Sequence, residues 1–378
     1  MKIAIIGAGI GGLTTALAFE KLGIDYHIFE KTPTIKPVGA GIWLAPNALH
    51  VYDWLGVYDD LKDCGNFIDR ITIGTQDLAP LSDMQQQEVQ DTFGYTTISI
   101  HRAALLNILL DKIPEHKITL GKYFLRFEST KKDKVQVFFE DQSSYEFDLL
   151  LGADGIHSKV RKQLFPQSSI RYSGQTCWRG VADYDLNSDF KHRGVELWGD
   201  QVRFGFTKIA AHKVYWFAVA RSPKNQQDLP NTTKEKLHTA FADFHPLVGE
   251  LLETTDSNNI MRNDISDLVP LKKWHQGRIC LIGDAAHAAT PNMGQGGAQA
   301  IEDAYYLARL LQKGFTTDSF DQFQAQRAKK VALVLNQSWS TGKMAHWKYG
   351  TALRNALIKN IPEKLVLKKI MQLYSLKN

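Results

Sequence analysis

Residues 2–6 (Lys-Ile-Ala-Ile-Ile) form a short apolar run with a glycine cluster, Gly7 to Gly12, behind it. The spacing then changes: Leu13, Ala16, Leu17 and Glu20 continue a helix that stops at Gly23, and Asp25 to Glu30 reads as a second strand. Such a strand–helix–strand unit with short connections predicts a parallel sheet. A proline-containing linker, Lys31 to Val38, leads to a glycine turn at Gly39 to Gly41. A helix is expected from about Pro46 to Leu55, with Gly56 as its stop. Thr96 to Ile100 predicts a strand, Arg102 to Lys112 a helix, and Lys134 to Phe139 and Phe147 to Leu151 two more strands. From about Tyr172 to Val269 the texture differs. Aromatic, alternating runs such as Val202 to Phe206 and Val214 to Val219 predict an antiparallel sheet. Arg278 to Ile282 returns to a buried strand, followed by a glycine-rich loop and a long helix, and from about Phe320 the chain reads as helical.

The 378 residues, 44% of them hydrophobic, suffice for two domains or for one large domain with a lobe. The net charge of +5 is spread without a basic run, which argues against a nucleic-acid partner. Cys64, Cys177 and Cys280 are far apart, odd in number and without CxxC spacing. That disfavours a disulfide framework or a zinc site and suits a reducing, cytoplasmic setting. Lys2 and the apolar run to Ala18 resemble a signal peptide, but glycines at fixed offsets favour a strand, a turn and a helix. No stretch of about 18 uninterrupted apolar residues occurs, so no transmembrane span is expected. Pro362 to Leu376 is basic and apolar, with Lys364, Lys368 and Lys369 beside Leu365, Leu367, Ile370 and Leu373. It reads as a helix packed back on the domain or as one lying on a membrane surface.

Three constellations carry chemistry. Gly7, Gly9 and Gly12 have GxGxxG spacing between a strand and a helix, the setting in which backbone N–H groups cradle a pyrophosphate. Glu30 ends the next strand, where its carboxylate accepts from a ribose hydroxyl and repels a 2′-phosphate. The resident dinucleotide is therefore expected to be FAD or NAD. In Arg278 to Ala304, a strand ends at Asp284, and Pro291 to Gly297 feed a helix with Ala298, Ile301, Tyr305 and Ala308 on its apolar face. The free N–H groups at Gly296-Gly297 suit a ring edge that becomes negative on reduction. In Asp148 to Arg161, Asp154-Gly155 follow a buried strand, with Ser158 and Arg161 beyond. His287 is a lone histidine read as structural, and no metal set or nucleophilic triad is found.

Together, in this order, the motifs resemble the group A, single-component FAD-dependent aromatic hydroxylases of the para-hydroxybenzoate hydroxylase fold. The similarity is to the branch holding urate and salicylate hydroxylases, zeaxanthin epoxidase-like enzymes and tetracycline-inactivating enzymes, and it runs from Met1 to about Gly314. It implies an α/β (α+β) fold: a Rossmann-like FAD-binding domain (1–171 and 270–325), a mostly antiparallel β-sheet substrate lobe (172–269) and a C-terminal helical segment (326–378). It implies tight, non-covalent FAD, NADPH or NADH as a transient co-substrate, and O2. The product is an aromatic or conjugated small molecule, hydroxylated or epoxidised through a C4a-hydroperoxyflavin, by a monomer or dimer. It assigns Gly7, Gly9, Gly12 and Glu30 to the ADP half of FAD, Arg102 to its phosphates and Phe124 to the adenine, with Lys31 as a further cofactor-binding residue. Asp154 is linked to both FAD and pyridine nucleotide, and Asp284 to the ribityl chain. Gly41 and the loop Gly294, Gln295, Gly296, Gly297 fall to the isoalloxazine ring. Candidate substrate contacts are Trp43, Arg203, Phe204, Tyr215, Trp216, Pro291 and Met293. Strand alternation puts Arg203 and Phe204, and likewise Tyr215 and Trp216, on opposite faces. Asn292 stands where some relatives carry an acid. The alternatives are an FAD reductase of related fold, geranylgeranyl reductase-like, and a flavin-binding protein without turnover.

Overall fold

The computed structural model of the protein describes residues 1–35 and 40–376. The turn expected at Gly39 and part of the linker before it lie outside the described residues.

The first layer is a six-stranded sheet in the order His275–Gln276, Ile279–Leu281, Leu149–Gly152, Lys2–Ile6, Asp25–Phe29, Ile118–Thr119. All neighbours are parallel except the hairpin of the first two strands. Ile5 lies opposite both Leu151 and Ile28, and all three are fully buried. That is why these strands read as continuous apolar runs rather than alternating ones. The helix Ile10–Leu22 packs on this sheet and against the helix Gly296–Leu311. A three-stranded antiparallel sheet, Phe124–Ser129, Val135–Phe139 and Ser144–Phe147, stacks Phe139 on Phe29 with ring centroids 4.5 Å apart.

The second layer is a seven-stranded sheet in the order Met261–Leu268, Ile170–Asp183, Lys213–Arg221, Val202–Ala210, Arg193–Trp198, Arg70–Thr75, Pro80–Gln85. Its outer face buries Phe204, Phe206 and Trp216 under the helices Pro230–Ala240 and Pro246–Glu253 through Leu237, Phe241 and Leu251. Its inner face looks toward the first layer. A small sheet of Gly41–Leu44, Thr97–His101 and Asn66–Ile68 lies between the two. No helix among the described residues is long and apolar enough to cross a membrane.

Several expectations need correction. The first helix starts at Ile10, so Gly11 and Gly12 belong to it and the turn is shorter than Gly7 to Gly12. The reason is close packing: a Cβ on Gly12 would lie 2.0 Å from the Gly7 carbonyl oxygen. The strand before Asp284 ends at Leu281. Gly283, at φ +55°, turns the chain so that Asp284 opens a short helix, Asp284–His287. The segment from Phe147 divides into two strands, Ser144–Phe147 and Leu149–Gly152. The second sheet also reaches outside 172–269, because Arg70–Thr75 pairs in parallel with Arg193–Trp198 and brings Pro80–Gln85 with it. Such a pairing is made across more than a hundred residues of chain and leaves no local signature.

Candidate active site

Gly7 adopts φ +109°, and a Cβ there would lie 2.5 Å from the carbonyl oxygen of Ala153, so only glycine fits. At Gly9 the opposite holds: an added Cβ would meet no atom within 4 Å. The packing of the described residues therefore does not require glycine at this position; clearance for a ligand approaching the backbone at the helix start would. Glu30 is oriented by three donors. Its Oε2 accepts from the Ala8 N–H at 2.8 Å, and its Oε1 from the Thr32 N–H at 2.9 Å and the Thr32 hydroxyl at 3.1 Å. The chain leading to Phe124 is tied to this corner by the Lys122 N–H on the Glu30 carbonyl at 2.9 Å. The Phe124 ring itself is buried in the core, and Lys31 is exposed.

Asp154 faces its own loop. It accepts from the Ser158 hydroxyl at 2.5 Å and the Val160 N–H at 3.1 Å, at the start of the helix Lys159–Leu164. Burial raises its carboxyl above the usual range, against the pull of these hydrogen bonds. Arg161 is buried and donates to the carbonyls of Ile156 at 2.5 Å and Ala285 at 3.1 Å. It thereby couples the Asp154 loop to the Asp284 loop.

Asp284 is surrounded by protein, and this burial raises its carboxyl, opposed by His287 and Arg102. Its side chain is nonetheless exposed. A group both deep and accessible lies at the bottom of a cleft. Arg102 sits in the first turn of the helix Arg102–Leu110, where a cation opposes the helix dipole. Its backbone N–H donates to the Ala40 carbonyl at 3.0 Å, while its exposed guanidinium makes no hydrogen bond or ion pair with any described residue. An unpaired cation so placed, an accessible acid and an open glycine turn fit a phosphate-bearing dinucleotide.

The loop Pro291–Gly297 consists of a single tight turn, Pro291–Met293, then Gly294 at φ +60°, and then the helix from Gly296. A Cβ on Gly296 would again meet nothing within 4 Å. Gln295 is buried and turns inward: its Oε1 accepts from Asn47 Nδ2 at 3.1 Å and Gln299 Nε2 at 3.2 Å. Behind it lies a charge network whose acids Glu302 and Asp303 and whose Arg327 are fully buried. Asp303 accepts from the Gly283 N–H at 2.9 Å, His287 Nε2 at 2.6 Å and Arg327 Nε at 2.8 Å. Glu302 pairs with Arg327, with Lys330 at 2.5 Å and with Asn47 at 2.6 Å. Burial alone would raise the Asp303 carboxyl, but His287 and Arg327 outweigh it and hold it below the usual range. Such a network stabilises geometry more than it stabilises the fold, and here it fixes the two backbone turns that flank the cleft. Glu302, Asp303 and Arg327 were not among the sequence candidates. The signal was two adjacent acids in the middle of an otherwise apolar helix.

The opposite wall is the inner face of the seven-stranded sheet. Arg203 is buried and donates to Glu196 Oε1 at 3.0 Å and to the Asn292 side-chain oxygen. Asn292 in turn donates to the Thr290 hydroxyl and the Ser338 carbonyl, both at 2.9 Å. Arg203 therefore ties the sheet to the glycine loop, with its charge already matched. Phe204 and Trp216 point the other way and stack in the outer core at 5.5 Å. The rings of Trp43 and Tyr215 seat on glycines of the facing layer, Gly194 and Gly41 respectively. Met293 contacts the Thr341 hydroxyl at 3.7 Å, and Pro291 is exposed. Arg179, which the sequence candidates omitted, lies on this face. It donates to Asn263 Oδ1 at 3.2 Å and faces Tyr215, whose hydroxyl pKa burial raises and the Arg179 charge lowers. Its place on an alternating strand beside Gly180 was the available signal. Burial, and then the Arg203 charge, push the nearby His346 imidazole down to about 3.

Comparison with known proteins agrees with this geometry. The family model described as FAD binding domain matches residues 1–338. Aurachin C monooxygenase/isomerase of Stigmatella aurantiaca is 37% identical over 369 residues, covering 97% of this chain and 94% of that protein. The 2-heptyl-3-hydroxy-4(1H)-quinolone synthase of Pseudomonas aeruginosa is 33% identical, covering 96% and 94%. Among solved structures, Klebsiella pneumoniae HpxO complexed with FAD and uric acid superposes with a TM-score of 0.91 at 26% identity, covering 99% of this chain and 96% of that one. A salicylate hydroxylase substrate complex shares the fold, with a TM-score of 0.81 at 22% identity. The reductase and non-catalytic alternatives are set aside: the relatives are monooxygenases.

Proposed function

We propose that this chain, which belongs to the FAD-dependent monooxygenases of the FAD binding domain family, hydroxylates a lipophilic aromatic of the 2-alkyl-4(1H)-quinolone type. When bound, FAD supplies the electron transfer and the oxygen activation; the chain supplies position, dryness and charge. The turn from Gly7 to Gly9 and the helix start through Gly12, with Glu30 and Lys31, hold the ADP half, and the Phe124 backbone meets the adenine. Arg102 takes the phosphates, Asp284 the ribityl hydroxyls, and Gly41 with Gly294 to Gly297 the ring. Asp154 holds the Ser158–Val160 turn in place beside the nucleotide. NADH or NADPH visits transiently, and a cytoplasmic setting suits the three free cysteines.

The observation that carries the substrate class is the state of Arg203. Its two terminal nitrogens are taken up by Glu196 and Asn292 and its Nε is buried without a partner among the described residues, so its charge is already offset by a carboxylate rather than held for an anionic substrate. The remaining wall is aromatic, with Arg179, Tyr215 and Asn263 as a small polar group able to hydrogen-bond one ring oxygen. That combination suits a neutral ring bearing a carbonyl and an apolar tail. One relative similar over nearly its whole length is named a 2-heptyl-3-hydroxy-4(1H)-quinolone synthase, and another is named a monooxygenase/isomerase.

The test is aerobic turnover with NADH or NADPH, labelled dioxygen and 2-heptyl-4(1H)-quinolone, with urate and salicylate as anionic comparators. One labelled oxygen atom in the quinolone product, with slower coupled turnover of both anions, is the expected result. Preferred hydroxylation of either anion would overturn the reading.

A further inference from the structure

The last two helices of the chain turn one apolar stripe inward and another outward. Thr351–Lys359 is held on the edge strand Pro80–Gln85 by Ile358, which packs with Leu81 and Trp198. The buried Arg354 donates to the carbonyls of Gly199 at 3.2 Å and Ala345 at 2.9 Å. Glu363–Tyr374 is held by Leu373 and Tyr374 in a cluster that includes Ala45 and Val89, with Met293 of the glycine loop packed against it. Both anchors are thus complete without the outward stripe. That stripe contains Trp347, Tyr349 (78% exposed), Leu353 (62% exposed), Leu357, Ile361 and Leu365. An amphipathic surface helix normally puts polar side chains there, and exposed apolar patches of this kind mark an interaction site.

The charges around the stripe identify the partner. Lys343, Lys348, Lys359, Lys364, Lys368 and Lys369 are all exposed, and from residue 343 onward the only acid is Glu363. We propose that this face docks the enzyme on an anionic lipid bilayer, with Trp347, Tyr349 and the leucines entering the headgroup region and the lysines meeting lipid phosphates. A second copy of the chain is the poorer occupant, because it would bring the same cationic face against this one. The lysines and the apolar residues act together here: either alone gives marginal, reversible binding. The inward side of these helices packs on Met293 of the glycine loop and on Trp198, the cross-strand neighbour of Arg203. Docking therefore places the cleft wall beside the phase in which an alkyl-chain substrate concentrates. The docking face itself stands on its exposure and charge, whichever aromatic is the substrate.

Flotation of the FAD-loaded enzyme tests the proposal, using phosphatidylcholine vesicles with and without phosphatidylglycerol. Wild type is expected to float with the anionic vesicles and to remain largely in solution with the neutral ones. Leu353→Glu/Leu357→Glu and, on the other helix, Lys364→Glu/Lys368→Glu should each reduce partitioning at least about tenfold while keeping bound flavin. The second pair keeps the test open if the first fails to fold. Absence of flotation with either vesicle, or flotation unchanged in both variants, overturns the proposal. So does a concentration-dependent dimer, seen by light scattering, that both variants dissolve, because the face would then belong to a second copy. Turnover of a soluble, short-chain aromatic measured without vesicles should be the same in all three proteins.

Discussion

A Cβ added at Gly9 or Gly296, on the flavin wall of the cleft, would meet nothing within 4 Å. Where the two layers join, a Cβ at Gly41 would lie 2.5 Å from the Tyr215 ring, one at Gly194 2.4 Å from Trp43, and one at Gly205 2.2 Å from Phe217. Glycine serves opposite ends in the two regions. On the first it keeps backbone clear for a ligand; on the second it admits an aromatic ring from a neighbouring strand or layer. The polar groups differ in the same sense. The Arg102 guanidinium makes no hydrogen bond or ion pair among the described residues, whereas Arg203 bonds Glu196 and Asn292 through its two terminal nitrogens and leaves only its buried Nε without a partner there. A residue left unsatisfied by its own fold points to a ligand, and a satisfied one points to architecture.

Matched glycine substitutions put the largest strain on this distinction. Gly9→Val should leave the apoprotein's urea midpoint nearly unchanged while weakening FAD binding about 100-fold or more, because pyrophosphate–amide hydrogen bonds of roughly 1.5–3 kcal/mol each are lost. Gly194→Ala should do the reverse, costing about 1–3 kcal/mol of stability by overpacking against Trp43 with little effect on FAD affinity at saturation. Fluorescence titration and urea unfolding on both variants separate the two cases. Equal loss of stability in both would erase the contrast.

The two arginines of the sheet wall sharpen it further. Arg203→Gln should lower stability and loosen the glycine loop. The loss should fall short of the ~3–5 kcal/mol of a fully buried broken pair, because Glu196 keeps some solvent access. Arg179→Gln should leave stability and FAD affinity alone and raise the KM for a ring-carbonyl substrate about tenfold, the effect of one charge-assisted hydrogen bond. Steady-state kinetics with FAD in excess reads the difference. A KM effect confined to Arg203 would exchange their roles.

The joints and loops that define the cleft were unequally visible beforehand. The turns at Gly7 and Asp154 could be read because a ligand-binding backbone needs particular residues at fixed offsets, and offsets are local. The strands around Ile5 and Leu150 could be read because burial on both faces demands unbroken apolar runs. Arg70–Thr75 joining the second sheet, Arg327 under the glycine loop and the seating of Trp43 on Gly194 could not. Each depends on a partner far away in the chain, and a side chain's type does not say which partner it meets. Arg203 shows the limit most clearly. It stands among the candidate substrate contacts through the family resemblance, and Glu196, seven residues earlier, decides whether its charge is free.

The smallest effect tests the buried end of the sheet wall. His346 has a folded pKa of about 3 against an ordinary 6.5, so the unfolded chain binds the extra proton first. Its contribution is fully present above pH 6.5 and is lost as pH falls toward 3, with a slope of at most about 1.4 kcal/mol per pH unit. Urea unfolding at pH 7.5 and 5.5 should show a shallower decline for His346→Gln than for wild type, by about 1 kcal/mol. An identical decline would mean that the imidazole is protonated as readily in the folded protein as outside it.

The central sheet also sets a timetable for the ribosome. Leu150 needs Ile279 beside it, and the face of Ile10–Leu22 around Gly11 needs Ala300 against it. The nascent chain therefore displays an uncovered apolar helix and an unfinished strand edge until residue 311 has emerged, on the order of tens of seconds at ordinary elongation rates. Throughout that interval the dinucleotide turn has no second half to close on. The flavin is thus expected to join late, as a cofactor that seals a completed fold rather than one that seeds it, and chaperone demand during synthesis should fall on the first thirty residues.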